Sequence, residues 1–126
     1  MSTQNDFTRS YKSNAAISAY TRVSVSANGS IQVAGTGNPG VGVIQNDITS
    51  NSYENAKVRM YGTGSFQILA TGAPGTAGDT VYFVGLGKVD VASGGTPWVS
   101  AGYLANSYTS NGTVVEVIPA LLRRSD

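Results

Sequence analysis

The chain has no cysteine and no histidine, and only eight basic and seven acidic residues among 126. Without cysteine there is neither a disulfide framework nor thiolate chemistry, and without histidine the commonest general base and metal ligand is missing. The charges are scattered, with Arg123-Arg124 the one adjacent basic pair, so there is no electrostatic footprint for nucleic acid. No apolar run reaches the length of a membrane helix. The opening MSTQNDFTRSYK lacks the basic start and apolar centre of a secretory signal, so a soluble protein made in the cytoplasm is expected. The carboxylates are widely spaced, with no D-x-D or calcium-loop pattern. No catalytic group, metal or cofactor is expected, and the chain does not read as an enzyme.

What is present is a β composition. Hydrophobic residues make up 40% of the chain, Gly occurs 16 times, and the polar remainder is carried by Ser, Thr and Asn. Small polar residues and Gly serve turns, while Val, Ile, Tyr and Thr serve strands. The length suits one domain.

The chain also repeats itself. GVIQNDITSN (42–51) and GYLANSYTSN (102–111) share Gly, Asn, Thr, Ser and Asn at matching places, and VSVSANGSIQVAGTG (23–37) aligns with VYFVGLGKVDVASGG (81–95). The reading is a duplicated unit of about forty residues, over 20–62 and 79–119.

Each unit reads as four short strands: Thr21 to Ser26, Ile31 to Ala34, Val41 to Gln45 and Ala56 to Tyr61 in the first. The second has Thr80 to Val84, Lys88 to Val91, Trp98 to Leu104 and Thr113 to Ile118. A ninth strand, Ser65 to Ala70, joins the units. The period of two assigns the core to Val23, Val25, Ile31, Val33, Val41, Val43, Val58 and Met60, then Phe66, Ile68, Val81, Phe83, Val89, Val91, Tyr103, Val115 and Val117. The expected fold is all-β, a single antiparallel barrel or sandwich over 20–119. Residues 1–19 read as an extended N-terminal arm and 120–126 as a C-terminal tail; one helical turn could fit at Asn51 to Asn55.

Glycine-rich stretches invite a phosphate-binding reading, and GTGNPG (35–40) formally matches G-x-G-x-x-G. Pro39 inside it and the strand VGVIQ after it exclude that reading, because the fingerprint needs a helix to begin there. GAPGTAGD (72–79) lacks the Lys and Ser/Thr of a phosphate loop and leads into TVYFV. It reads as a turn, with Pro74 fixing φ, Gly75 free to take a positive one, and Asp79 after Gly78 accepting backbone N–H bonds at a strand entry. Gly29, after Asn28, makes the hairpin turn between the first two strands. The tyrosines and Trp98 offer either half-buried packing, a subunit interface or a stacking platform.

VGVIQND, AKVRMYGTGSFQILATG, an Ala/Pro-rich loop into GDTVYFV, GKVDVASGGTP and AGYLANSYTSNGTVVEVIP come in an order that resembles the small head decoration, or capsid cement, proteins of tailed bacteriophages. The resemblance covers about Thr21 to Pro119. It implies a β module on the outer surface of the assembled capsid, commonly a homotrimer, binding the major capsid protein and reinforcing contacts between its subunits. It also implies a virion location, with no nucleic-acid or membrane partner. Gly78, Asp79, Val81 and Tyr82 match its most recognisable junction and are expected to be structural. The arm has no counterpart in that pattern; its Phe7, Arg9, Tyr11, Lys12 and Ile17 are the candidates for capsid or subunit contact. The alternative is a carbohydrate-binding or adhesion module of a phage particle that uses the aromatic residues.

Overall fold

The computed structural model describes residues 8–13, 15–49, 55–61, 64–92, 98–119 and 123–124, with Trp98, Arg123 and Arg124 described by their backbone alone. Within them lie β1 (Thr8–Lys12), β2 (Arg22–Val25), β3 (Ile31–Val33), β4 (Gly42–Ile44), β5 (Asn55–Met60) and β6 (Phe66–Ala70). They continue with β7 (Thr80–Phe83), β8 (Val89–Asp90), β9 (Trp98–Leu104), β10 (Thr113–Pro119) and β11 (Arg123–Arg124), and a 3-10 turn, Gly85–Gly87, separates β7 from β8. Alternation builds them. In β5, Ala56 and Val58 point inward while Asn55 and Lys57 face solvent, and in β6 Phe66, Ile68 and Ala70 are buried around exposed Gln67.

The strands form two sheets, β1-β5-β4-β2-β3 and β10-β6-β8-β7-β9, with β11 added to β9. Pairing of β10 with β9 closes the second sheet into a five-stranded barrel. In the first, a single parallel bridge from Ser13 to Ile31 spans the gap between the edge strands.

Both sheets follow one plan. Written from the first strand of each, β1-β5-β4-β2-β3 and β6-β10-β9-β7-β8 are the same order. The registers agree as well. Val23 faces Gly42 as Val81 faces Gly102, Ile44 faces Val58 as Leu104 faces Val117, and Val25 faces Ile31 as Phe83 faces Val89. The parallel closures are Ser13–Ile31 and Ala70–Val89. Asn46 Oδ1 accepts from the Lys57 N–H, and Asn106 Oδ1 from the Glu116 N–H.

The repeating unit therefore has five strands where four were expected. Ser65–Ala70, expected as a link, is the first strand of the second unit. Its counterpart β1 lies in the stretch expected to be an arm. TRSYK shows no apolar alternation, because β1 is held mainly by backbone pairing with β5 and offers Tyr11 alone to the core. The pairing of β6 with β8 is parallel, where antiparallel neighbours were expected. Asn51 to Glu54 and most of the expected tail lie outside the described residues.

Two cores result, an aliphatic one with Ile17, Val23, Ile31, Ile44 and Ile48, and a larger one with Phe66, Phe83, Val81, Leu104 and Tyr108. Several expected core residues stand elsewhere. Val25, Val33 and Tyr103 are exposed, and Val41, Met60 and Val91 are half-buried. Tyr103 lies outside because β9 turns Leu104 inward, in the place that Ile44 holds in β4. In β4 both Val43 and Ile44 are buried: Ile44 faces its own core, and Val43 packs into the core of the other barrel.

Candidate docking surface

How the barrels meet decides which surfaces are left to face partners. Arg22 is the centre of the junction. It follows Thr21 on β2, where alternation sends it away from its own core, yet it is completely buried. Its Nε donates to the Asn38 carbonyl at 2.7 Å, Nη1 to Lys88 O at 2.7 Å, and Nη2 to Gly35 O at 2.6 Å and Val84 O at 2.8 Å. The guanidinium also lies 4.7 Å from the centre of the Phe83 ring, a cation–π distance. Desolvation pulls its pKa down to about 10, with Tyr61 acting against, so it remains charged at neutral pH. A buried charge is tolerated when its donors are satisfied. Here Asn38 and Gly35 belong to the first unit, and Lys88 and Val84 to the second.

The G-x-G-x-x-G look-alike thus turns carbonyls toward a cation, the opposite polarity from a phosphate cradle. Tyr61 completes the junction. Its ring stands edge-on to Phe66 at 5.3 Å, and its hydroxyl donates to Pro39 O at 2.6 Å. Burial raises its pKa, with Arg22 opposing. The backbone joins across as well, through Gly37 N–H to Phe83 O, Gly87 N–H to Ala34 O and Leu69 N–H to Tyr20 O. Sequence reading missed Arg22, because an arginine next to a valine in a strand looks like a solvated outer face. The second barrel covers that face.

The loop 72–79 is a turn fixed at several points. The Ala73–Pro74 peptide is cis, and the positive φ values fall at Gly72 and Gly78 rather than at Gly75. Gly75 is required for another reason: a Cβ there would run into the Tyr108 ring. Gly75 and Tyr108 exchange backbone hydrogen bonds of 2.9 Å, and the Tyr108 hydroxyl donates to Thr71 O at 2.6 Å. Burial raises the Tyr108 pKa, with Asp90 and Asp79 adding to the effect. Asp79 Oδ2 accepts from the Thr76 N–H at 2.9 Å, capping the turn. In the first unit the matching bridge is Ile17–Ile48, beside a shallow hollow of about 310 Å³. The Asp47 carboxylate at its rim accepts from the Ala19 N–H. At Gly29, φ is +86° and the hairpin closes through Ser26 and Ser30.

The contact candidates of the N-terminal stretch separate. Arg9 and Lys12 are exposed on β1, and Tyr11 is half-buried against the first core. Ile17 is buried in that core and is not available to a partner, because its bridge to Ile48 turns it inward. Phe7 lies outside the described residues. Among the aromatics, Tyr61 and Tyr108 are used internally, while Tyr103 is 39% exposed beside Ile118, which is 50% exposed. Among the described residues no cluster of three or more metal-ligating side chains occurs, no helix is long and apolar enough to cross a membrane, and no buried side-chain polar atom lacks a partner.

No protein-family model matches the chain, and no curated protein matches it. Among solved structures it is similar to the crystal structure of the N base of the head fiber gp8.5 in bacteriophage phi29. The TM-score is 0.68 at 18% sequence identity, with 90% of this chain and 92% of that chain covered. Along nearly its whole length, the chain shares the fold of that head-fiber base.

Proposed function

We propose that the chain is a structural protein of a phage head, which binds the outer surface of the assembled shell and reinforces contacts between major capsid subunits. The observation that carries this reading is the end-to-end likeness in fold to a head-fiber base, covering both chains almost completely. The architecture suits the role. Two barrels locked by a buried arginine and cross-barrel backbone bonds make a stiff body, and a stiff body binds without a large ordering cost. Self-association, as a homotrimer, would turn weak single contacts into effectively intramolecular ones. Arg9 and Lys12 on β1 and the exposed loop residues Pro74, Thr76 and Ala77 are the contact elements offered to the shell or to another copy.

Purified chain should co-sediment with expanded heads built from the major capsid protein encoded in the same genome. Binding should saturate at a fixed copy number, and decorated heads should withstand heat or chelator treatment that disrupts bare ones. Heads that take up no chain would overturn the role.

A further inference from the structure

The two units are copies of one barrel, so each surface of one has a counterpart on the other. In the first barrel, Arg22, Val43 and Arg59 form a row across β2, β4 and β5, with Arg22 opposite Val43 and Val43 opposite Arg59. The second barrel covers that row with one of its ends, through Phe66, Phe83 and the 85–88 turn. The counterpart row is Thr80, Tyr103 and Ile118, paired in the same way across β7, β9 and β10. There Tyr103 and Ile118 are 39% and 50% exposed.

The covering end has a counterpart too. Phe83 corresponds to Val25 and Phe66 to Arg9, and in the first barrel both stand exposed. A Cβ added at Gly87 would strike Thr21 and the Arg22 backbone, whereas one added at Gly29, its counterpart, meets nothing within 4 Å among the described residues. One molecule therefore carries one filled junction and the two unfilled halves of a second.

The geometry points to a head-to-tail contact between copies of this chain, in which the Arg9–Val25–Gly29 end of one protomer seats on the Thr80–Tyr103–Ile118 row of the next. Size complementarity supports a second copy as the occupant. Inside the molecule the small Val43 shares one core cluster with the large Phe66 and Phe83. Between molecules the large Tyr103 and Ile118 would meet the small Val25. Charge agrees: Arg9 on the incoming end faces a row whose neighbour on the same face of β10 is Glu116, and a guanidinium can lie over the Tyr103 ring as Arg22 lies over Phe83. A contact of this kind uses two different patches, so it closes into a ring or runs on as a chain according to the rotation per step. The contact deepens the self-association part of the reading above, and it is tested on free protein so that its failure leaves head binding standing.

The experiment is light scattering behind a sizing column on the full chain over a hundredfold range of concentration. It uses wild type, Val25→Asp, Arg9→Glu and the double variant Tyr103→Asp/Ile118→Asp. Circular dichroism confirms that each is folded; the changed side chains are all exposed. Wild type should elute with a mass above that of the monomer, as one species if the ring closes or as a growing series if it does not. Val25→Asp and the double variant should each be monomeric, and Arg9→Glu should weaken assembly at least tenfold. An equimolar mixture of Val25→Asp with the double variant should give a dimer and nothing larger, because each supplies the patch that the other lacks. A wild type that stays monomeric overturns the contact, as does assembly indifferent to these substitutions or a mixture that stays monomeric. Heads that bind wild type but lose the double variant, with wild type monomeric, would assign the row to the shell instead.

Discussion

Arg22 and Thr80 hold the same place in two copies of one barrel, yet the first is sealed among five carbonyls and the second lies half-open to solvent. Inside the barrels the difference nearly vanishes: Val23 and Val81, Ile31 and Val89, Ile44 and Leu104, and Val58 and Val117 are buried in pairs. The cores keep the fold, and the outer faces record which neighbour each copy has. Where the cores do differ they compensate. Ile17 with Ile48 in one unit is replaced by Gly75 with Tyr108 in the other, a missing side chain making room for a ring. Interiors packed to crystal density accept a change on one side only with an opposite change nearby.

The widest separation between the halves should come from Arg22→Met. It removes the cation and leaves buried carbonyls of both barrels without their donor, each at a cost of about 1–3 kcal/mol. Thr80→Met, at the matching place, should change stability by less than about 1 kcal/mol. Urea midpoints measure both, and equal effects would show that the junction contributes little.

Next in size is the glycine pair. Gly29→Ala meets open space and bears only the strain of a positive φ, about 1–2 kcal/mol. Gly87→Ala adds a collision with Thr21 and Arg22 and should cost about 1–3 kcal/mol more. Thermal unfolding of the two variants side by side tests whether the barrels are pressed together at this point.

A smaller effect is expected from Tyr108→Phe, which keeps the ring over Gly75 and removes the bond to Thr71 O, for about 1 kcal/mol. The smallest signal is in pH. Tyr61 and Tyr108 keep their protons in the folded protein at pH values where the unfolded chain loses them. Their contribution is complete below about pH 10, the ordinary tyrosine value, and declines as pH rises above it. Arg22 opposes them: with its folded pKa pulled down to about 10, below the ordinary arginine value, the unfolded state binds more protons above that pH, and its contribution rises with pH. An absorbance titration at the tyrosinate band should lose its latest-ionising portion in Tyr61→Phe and Tyr108→Phe. Curves unchanged by either substitution would contradict the burial of these hydroxyls.

Much of the fold could be read from the sequence because the inward positions alternate. VSVSANGSI announces a hairpin, and the 58–60-residue echo announces a second copy. What escaped has physical causes. β1 offers only Tyr11 to the core and is held mainly by main-chain pairing, so no periodicity marks it. Tyr103 and Leu104 are adjacent apolar residues, and alternation alone does not say which points inward; the register with β10 decides it. The junction was invisible because Arg22, Val43 and Arg59 are brought together by pairing across three strands, and the second-unit carbonyls that hold Arg22 lie 62 and 66 positions away in the chain. The candidate contacts were half legible. Arg9 and Lys12 stand on an exposed strand, whereas Ile17 is an inward residue of the first core.

The central claim is that this double barrel is a structural part of a phage head surface. Its most direct test is a cryo-electron microscopy reconstruction of expanded heads, built from the major capsid protein of the same genome, with and without the purified chain. The account predicts added density on the outer face, at repeated positions between capsid subunits, into which the double barrel fits as one rigid body. Identical maps, or added density only inside the shell, would contradict it.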